Sequence, residues 1–231
     1  MNPETLVPWS GLVAVLALGA WLWVRGVDIA NRYLSAAGEQ PLGKGQVTFW
    51  FALAGGMVLY TSPWEPALAG GVGLAMIGSL SALVDARTHK LPNALTAALA
   101  LCAVPACALA IGAGGSGVAW GVLIGVLVWT VPLTLAALPK AGLGLGDVKL
   151  APVLGAILGA VGVQPAIAGF VMGLLAAGVA AVVRLARTRD AHQRMAFGPY
   201  LTGGALAAWI LYVTLPAYVP ALMPALAPVG A

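Results

Sequence analysis

Long apolar runs dominate this chain, and charged residues interrupt them only briefly. We divide it into eight apolar segments, most of about 15 to 23 residues, near the roughly 20 that a helix needs to cross a membrane. The segments are residues 6–24, 47–61, 67–84, 94–112, 117–138, 148–162, 165–185 and 200–217. Only 8% of the residues are charged, against about a quarter in soluble domains, and the alternating pattern of a membrane barrel strand is absent. The sequence therefore predicts an all-α polytopic membrane protein of about eight transmembrane helices, forming a single domain over residues 1–231.

The positive charges predict the orientation of these helices. All eleven Lys and Arg residues fall in or beside alternate connections between the apolar segments. They are Arg25, Arg32, Lys44, Arg87, Lys90, Lys140, Lys149, Arg184, Arg187, Arg189 and Arg194. By the positive-inside rule these connections face the cytoplasm, and both termini then lie outside. The first apolar segment is long and has no Lys or Arg before it, so we interpret it as a spanning helix and not as a cleaved signal peptide.

Small residues indicate where the helices contact each other. Glycines at GxxxG spacing allow two helix backbones to approach closely in lipid. Three such pairs occur, namely Gly121 with Gly125, Gly155 with Gly159, and Gly169 with Gly173. We expect these pairs to lie at helix–helix interfaces.

Two aspartates lie where charge is costly. Asp85 ends the third apolar segment, which runs inward, and Asp147 precedes the sixth, which runs outward. Both carboxylates therefore lie at the same cytoplasmic depth, and ionisable groups at such an edge favour a functional role. Two carboxylates a few Å apart cannot both ionise easily and tend to share a proton. In that state one carboxylate can take a proton from water while the other polarises a peptide carbonyl.

The residues around Asp147 allow more than one interpretation. Gly144 and Gly146 permit unusual backbone dihedrals and would leave room for a substrate backbone beside Asp147. Alternatively, the glycines merely end a loop and Asp147 caps the sixth helix; the matched depth of Asp85 favours the functional interpretation. Lys149 could bind a negative substrate group or tune the carboxylates, or it could be a lysine that extends its amine to the membrane surface.

The sequence gives no metal or nucleic-acid signature. Cys102 and Cys107 lie within an apolar segment and form no CxxC motif, so a zinc ribbon or a redox pair is not supported. His89 and His192 lie in basic connections without ligand spacing, and we interpret them as solvated loop residues. No basic cluster suggests a nucleic-acid partner. We expect no metal and no cofactor.

Three motifs together resemble those of the type IV prepilin peptidases. The first is Asp85 followed by Leu91-Pro92-Asn93 and Leu95-Thr96. The second is Gly144-Leu145-Gly146-Asp147-Val148-Lys149-Leu150, and the third is Phe197-Gly198-Pro199-Tyr200-Leu201. They occur in the family's order, within a peptidase core of about residues 67–210.

The resemblance implies a GxGD-type aspartic endopeptidase of the bacterial inner membrane. Such an enzyme removes the short basic leader of prepilins or pseudopilins at the cytoplasmic face, with water as the nucleophile. The resemblance makes Asp85 and Asp147 catalytic. It gives a supporting or substrate-binding role to Gly144, Gly146, Lys149, Pro92, Asn93, Phe197, Gly198 and Pro199. Long members carry a cytoplasmic insert with paired CxxC motifs, but the 25–46 connection is short and lacks cysteine, so this chain resembles a short form without zinc.

Two other functions remain open from the residues. Intramembrane carboxylates also serve proton-coupled transporters, although two aspartates at one membrane edge and not at the midplane argue against transport. The chain could also be an inactive scaffold of a pilus or secretion system, against which the two intact aspartates count.

Overall fold

The computed structural model of the chain describes residues 3–138, 144–189 and 195–218, with side chains from residue 6 to residue 216 within these ranges. These ranges are built from helices and contain no strand. The helices are α1 (Pro3–Trp21), α2 (Val27–Ala36), α3 (Lys44–Thr61), α4 (Leu68–Gly73), α5 (Ser79–Thr88), α6 (Asn93–Ala136), α7 (Leu145–Val161), α8 (Val163–Thr188), α9 (Gly198–Trp209) and α10 (Leu215–Tyr218). Short π-helical turns at Leu22–Gly26, Leu74–Gly78 and Ile210–Thr214 join α1 to α2, α4 to α5 and α9 to α10. Lys140, His192 and Arg194 of the sequence analysis lie outside the described residues.

Four helical runs are long and apolar enough to cross a membrane. They are Leu6–Ala36, Leu68–Thr88, Asn93–Ala136 and Val163–Thr188. The run Leu68–Thr88 is the most enclosed of the four, with 83% of its apolar window buried. This run carries Asp85 and packs against α1, α2, α3, α6 and α9.

The longest helix consists of two antiparallel halves. Gly115, with φ 63° and ψ −146°, breaks α6 in the predicted connection between the fourth and fifth apolar segments. Before this break α6 runs parallel to α7, because Asn93 lies beside Lys149 and Cys107 beside Ala156. After the break the contacts run in the opposite order, as the GxxxG glycines show. A positive φ of this kind favours glycine, which explains the residue at the break.

The predicted GxxxG contacts are confirmed. Gly121 packs against the backbone of Gly159, and Gly125 against the backbone of Gly155, so that α6 and α7 meet through four glycines. The third pair lies against α9, where Gly169 and Gly173 contact the backbone around Gly204 and Tyr200. A methyl group at any of the four glycines between α6 and α7 would collide with a backbone oxygen, which does not move aside easily, and one at Gly169 would collide with the side chain of Leu158. The interfaces therefore depend on the absence of a side chain.

The prediction for the connection 25–46 is partly wrong. The sequence analysis ended the first apolar helix at residue 24, but helical structure continues through α2 to Ala36. The face of α2 that carries Val27, Ala30 and Leu34 is fully buried, and this burial extends the helix beyond the apolar run. Asn31 fixes the remaining turn, because its amide donates to the carbonyl of Leu42 at 3.0 Å and its oxygen accepts the Leu42 N–H at 2.7 Å.

Candidate active site

Asp85 lies in the last turn of α5, and its local sequence ends the helix directly after it. The Thr88 hydroxyl donates to the Val84 carbonyl at 2.8 Å and accepts the Lys90 N–H at 3.2 Å. His89 adopts the left-handed conformation with φ 51°, which stops the helix. Asp85 itself is only 5% exposed. The chain thus turns sharply at the site, and the carboxylate stays within the bundle.

The third motif holds the carboxylate of Asp85. The backbone N–H of Gly198 donates to Oδ2 of Asp85 at 3.0 Å. Gly198 is the first residue of α9, where backbone N–H groups have no partner within the helix. A Cβ atom at this position would lie 2.7 Å from Oδ2, so the hydrogen bond requires glycine. Pro199 lies in the first helical turn, where its missing N–H costs nothing, and Phe197 packs against the hydrophobic core.

Asp147 is buried in the first turn of α7. It is the third residue of the helix and is 7% exposed. The residue at the N-cap is Gly144, not Asp147, so the alternative that Asp147 caps this helix is wrong. No described residue hydrogen-bonds to the carboxylate of Asp147. An acidic side chain in the first turn interacts favourably with the positive end of the helix dipole.

The glycines before Asp147 matter because they lack a side chain, and not because of unusual dihedrals. Gly144 has an ordinary extended conformation, φ −71° and ψ 138°, and Gly146 is helical. The prediction of unusual dihedrals is therefore wrong. A Cβ atom on Gly146 would lie 2.9 Å from Cβ of Leu91, so this glycine lets the second motif pack against the first. Gly144 is exposed, and a Cβ there would lie 3.4 Å from Oδ2 of Asp147.

Both carboxylates line one cavity of about 360 Å³. Its walls come from α2, from the end of α5 with the turn after it, and from the starts of α6 and α7. The lining residues are Tyr33, Asp85, His89, Lys90, Leu91, Asn93, Gly144, Leu145, Gly146, Asp147 and Lys149. The structure therefore brings together two aspartates that are distant in the sequence, as the topology predicted.

A polar contact lies on the exposed part of the cavity wall. Lys149 Nζ donates to Oδ1 of Asn93 at 3.2 Å, and both side chains are exposed. This bond connects the first motif to the second. Lys149 is therefore at the exposed rim and makes no ion pair with either carboxylate.

Three further predicted site residues, Pro92, Phe197 and Pro199, do not line the cavity. Pro92 is buried and is the N-cap of α6, with its carbonyl accepting the N–H groups of Leu95 at 3.0 Å and Thr96 at 3.3 Å. These residues fix the ends of α6 and α9, and through them the positions of the groups that touch the cavity.

Sequence reasoning missed Tyr33. It lies on α2, within the stretch that the sequence analysis treated as a connection, and it lines the cavity with both aspartates. A signal in the sequence could have found it. Apolar residues continue to recur every three to four positions past residue 24, up to Leu34, which is fully buried and directly follows Tyr33.

No metal site accompanies the carboxylates in the described part of the chain. In these ranges no three side chains of His, Cys, Asp or Glu are grouped closely enough to hold an ion. The two free cysteines lie along α6, where Cys107 Sγ contacts the carbonyl of Ala156 at 3.6 Å. They are away from the cavity and take no part in it.

Comparison with protein families identifies the segment around the two aspartates. Residues 72–185 match the model of the type IV leader peptidase family. This segment, just under half of the chain, is similar to that family. It contains both aspartates of the cavity but ends before Gly198, and Tyr33 lies before its start. The leader peptidase assignment, together with the four long apolar helices, indicates a membrane-bound protease. Comparisons with curated proteins and with solved structures gave no match.

Proposed function

We propose that this chain is a membrane-embedded aspartic endopeptidase that removes the short basic leader of type IV prepilins or pseudopilins. The observation that carries the proposal is the shared cavity, in which the carboxylates of Asp85 and Asp147 meet at one end of the bundle. The similarity of residues 72–185 to the type IV leader peptidase family supports the class of substrate.

The proposed reaction uses the two carboxylates as one unit that shares a proton. One ionised carboxylate takes a proton from a water molecule, and the resulting hydroxide attacks the carbonyl carbon of the scissile peptide. The protonated carboxyl donates its proton to the carbonyl oxygen, so that a neutral tetrahedral intermediate forms. The C–N bond then breaks, the nitrogen receives a proton from the carboxyl that first took one, and the gem-diol oxygen returns its proton to the other.

The hydrogen bonds of the site support different roles for the two aspartates. A backbone N–H that donates to a carboxylate stabilises its ionised form more than its protonated form. Asp85 has such a donor in Gly198, whereas Asp147 has none among the described residues. We assign the role of base to Asp85 and the role of acid to Asp147, which keeps its proton because a second negative charge lies nearby.

The proposal includes the topology predicted from the sequence. Eight spanning helices would form the GxGD-type bundle, with α6 contributing two of them on either side of Gly115. Positive residues next to the cavity, among them Lys90 and Lys149, support a site at the cytoplasmic face under the positive-inside rule. Both termini would lie outside a bacterial inner membrane. A substrate could then present its leader from the cytoplasm while its apolar helix stays in the lipid.

Co-expression with a prepilin tests the function directly. A tagged prepilin from the same genome is expressed with the wild-type chain or with Asp85→Asn or Asp147→Asn, and loss of the leader is followed by mass spectrometry. Each substitution should lower cleavage by at least about 100-fold, the contribution of a general acid or base. The mass also reports whether the new N-terminus is methylated.

Asp28→Asn is the matched control. Asp28 forms an exposed ion pair with Lys44 at 2.7 Å, and such pairs contribute about 0 to 1 kcal/mol to stability. This variant should cleave at the wild-type rate. Wild-type cleavage that persists in Asp147→Asn would remove this residue from the mechanism. No cleavage by a folded wild-type chain, with any prepilin or pseudopilin tried, would favour a transporter or a scaffold.

A further inference from the structure

We infer that Tyr33 is a substrate-contacting residue of the proposed peptidase, whose hydroxyl donates a hydrogen bond to the backbone of the bound peptide. The inference rests on the proposed function and extends it to a helix outside the matched family segment. Tyr33 lies on α2, and its side chain shares the cavity wall with the two aspartates.

The position of Tyr33 is fixed by its neighbours. Ala30 and Leu34, on the same side of α2, are fully buried, and α2 packs against α5, which carries Asp85. The ring of Tyr33 also packs against the hydrophobic core. The chain that follows α2 is tied back to this helix by the two hydrogen bonds between Asn31 and Leu42. A side chain on a packed helix is held more precisely than one on a loop, as substrate positioning requires.

The chemistry of the cavity gives this side chain a task. Within the described residues no group hydrogen-bonds to the Tyr33 hydroxyl, and the side chain is partly exposed. A phenol can donate one hydrogen bond and also accept. The other polar side chains of the wall are the two carboxylates, which accept when ionised, and those of His89, Lys90, Asn93 and Lys149, of which the last two bond to each other. Tyr33 is therefore a neutral donor beside the carboxylates, suited to a peptide carbonyl.

Helix α2 also explains how a peptide could be confined. Tyr33 is the residue of α2 that lines the cavity, whereas the other lining residues come from the end of α5, the turn after it and the region where α6 and α7 begin. The aromatic ring supplies a flat apolar wall there. A peptide in extended form could lie between this wall and the two aspartates, with its carbonyl facing the acid.

The test separates contact from activity. First, kcat/KM for a purified prepilin is measured with the wild-type chain and with Tyr33→Phe, which keeps the ring and removes only the hydroxyl. We expect kcat/KM to fall about 3- to 10-fold, as for loss of one hydrogen bond between uncharged groups. Tyr60→Phe is the control, since Tyr60 is 75% exposed on α3, and it should leave kcat/KM unchanged.

Second, p-benzoylphenylalanine replaces Tyr33 in an Asp147→Asn chain, which keeps the substrate uncleaved. Irradiation should crosslink this position to the prepilin near its cleavage site, while the same group at position 60 should not react there. Wild-type kcat/KM in Tyr33→Phe, or no crosslink from position 33, would overturn the inference while wild-type cleavage leaves the proposed function intact. A wild-type chain that never cleaves would instead refute the proposed function, and the inference with it.

Discussion

Replacing Gly198 by alanine would test how the carboxylate of Asp85 is held. The added Cβ would lie 2.7 Å from Oδ2 and 3.3 Å from Cγ of Asp85, while ordinary contact begins at 3.4 Å. The carboxylate would therefore have to move by about 0.7 Å. The same movement would lengthen the 3.0 Å hydrogen bond from the Gly198 N–H to Asp85 beyond the roughly 3.2 Å at which N–H···O bonds are normally found.

The size of the effect follows from this geometry. A hydrogen bond to a charged group contributes about 1.5 to 3 kcal/mol, which corresponds to about 10- to 150-fold in rate at 1.36 kcal/mol for each factor of ten. A misplacement of about 1 Å at a reacting group has a similar cost. We expect Gly198→Ala to lower prepilin cleavage by about 10- to 100-fold.

Gly203→Ala is the matched control on the same helix. Gly203 is exposed, and a Cβ atom there would meet no atom within 4 Å. Because alanine favours a helix over glycine by roughly 0.5 to 1 kcal/mol, this variant should be at least as stable as the wild type and equally active. Cleavage kinetics with reconstituted protein, together with thermal unfolding, would separate the two cases. Wild-type kinetics in a folded Gly198→Ala chain would refute the role given to this hydrogen bond.

Two further predictions concern the rim and the orientation of the bundle. Lys149→Ala breaks the exposed bond to Asn93 and should lower kcat/KM only about 2- to 10-fold, because a solvated contact contributes little; a loss as large as that of Asp147→Asn would place Lys149 in the chemistry. In a chain whose Cys102 and Cys107 are replaced by alanine, Trp64→Cys should react with an impermeant thiol reagent added outside whole cells, and Thr188→Cys should react only after permeabilisation. The reverse labelling pattern would overturn the predicted topology.

The proximity of the two aspartates could be predicted from the sequence. The predicted topology alternates helix direction with each apolar segment, so it put Asp85 at the end of one segment and Asp147 before another on the same side, and in the structure both line one cavity. GxxxG spacing likewise predicted the contact of α6 with α7, because only glycine permits such close backbones. These features depend on local residue type and on topology, both of which a sequence contains.

The details of the site were beyond the sequence for physical reasons. The role of Gly198 depends on a backbone N–H, a group that every residue except proline carries and that no residue pattern identifies. Gly146 was interpreted as space for a substrate, yet Leu91 occupies the neighbourhood of its missing Cβ. Tyr33 was missed because hydropathy falls after residue 24, while burial of Leu34 and its neighbours continues the helix. In each case tertiary packing, not local preference, decides.

The π-turn at Leu74–Gly78 determines the direction in which Asp85 points from its helix. Such a turn holds one more residue than an α-helical turn, and each residue advances a helix by about 100°. The added residue therefore rotates the side chains of α5, including Asp85, about the helix axis relative to those of α4. In a helix of uninterrupted α geometry, Asp85 would point about a quarter-turn away from Gly198 and Asp147. The number of residues between the start of α4 and Asp85 is therefore as important to the site as the aspartate itself.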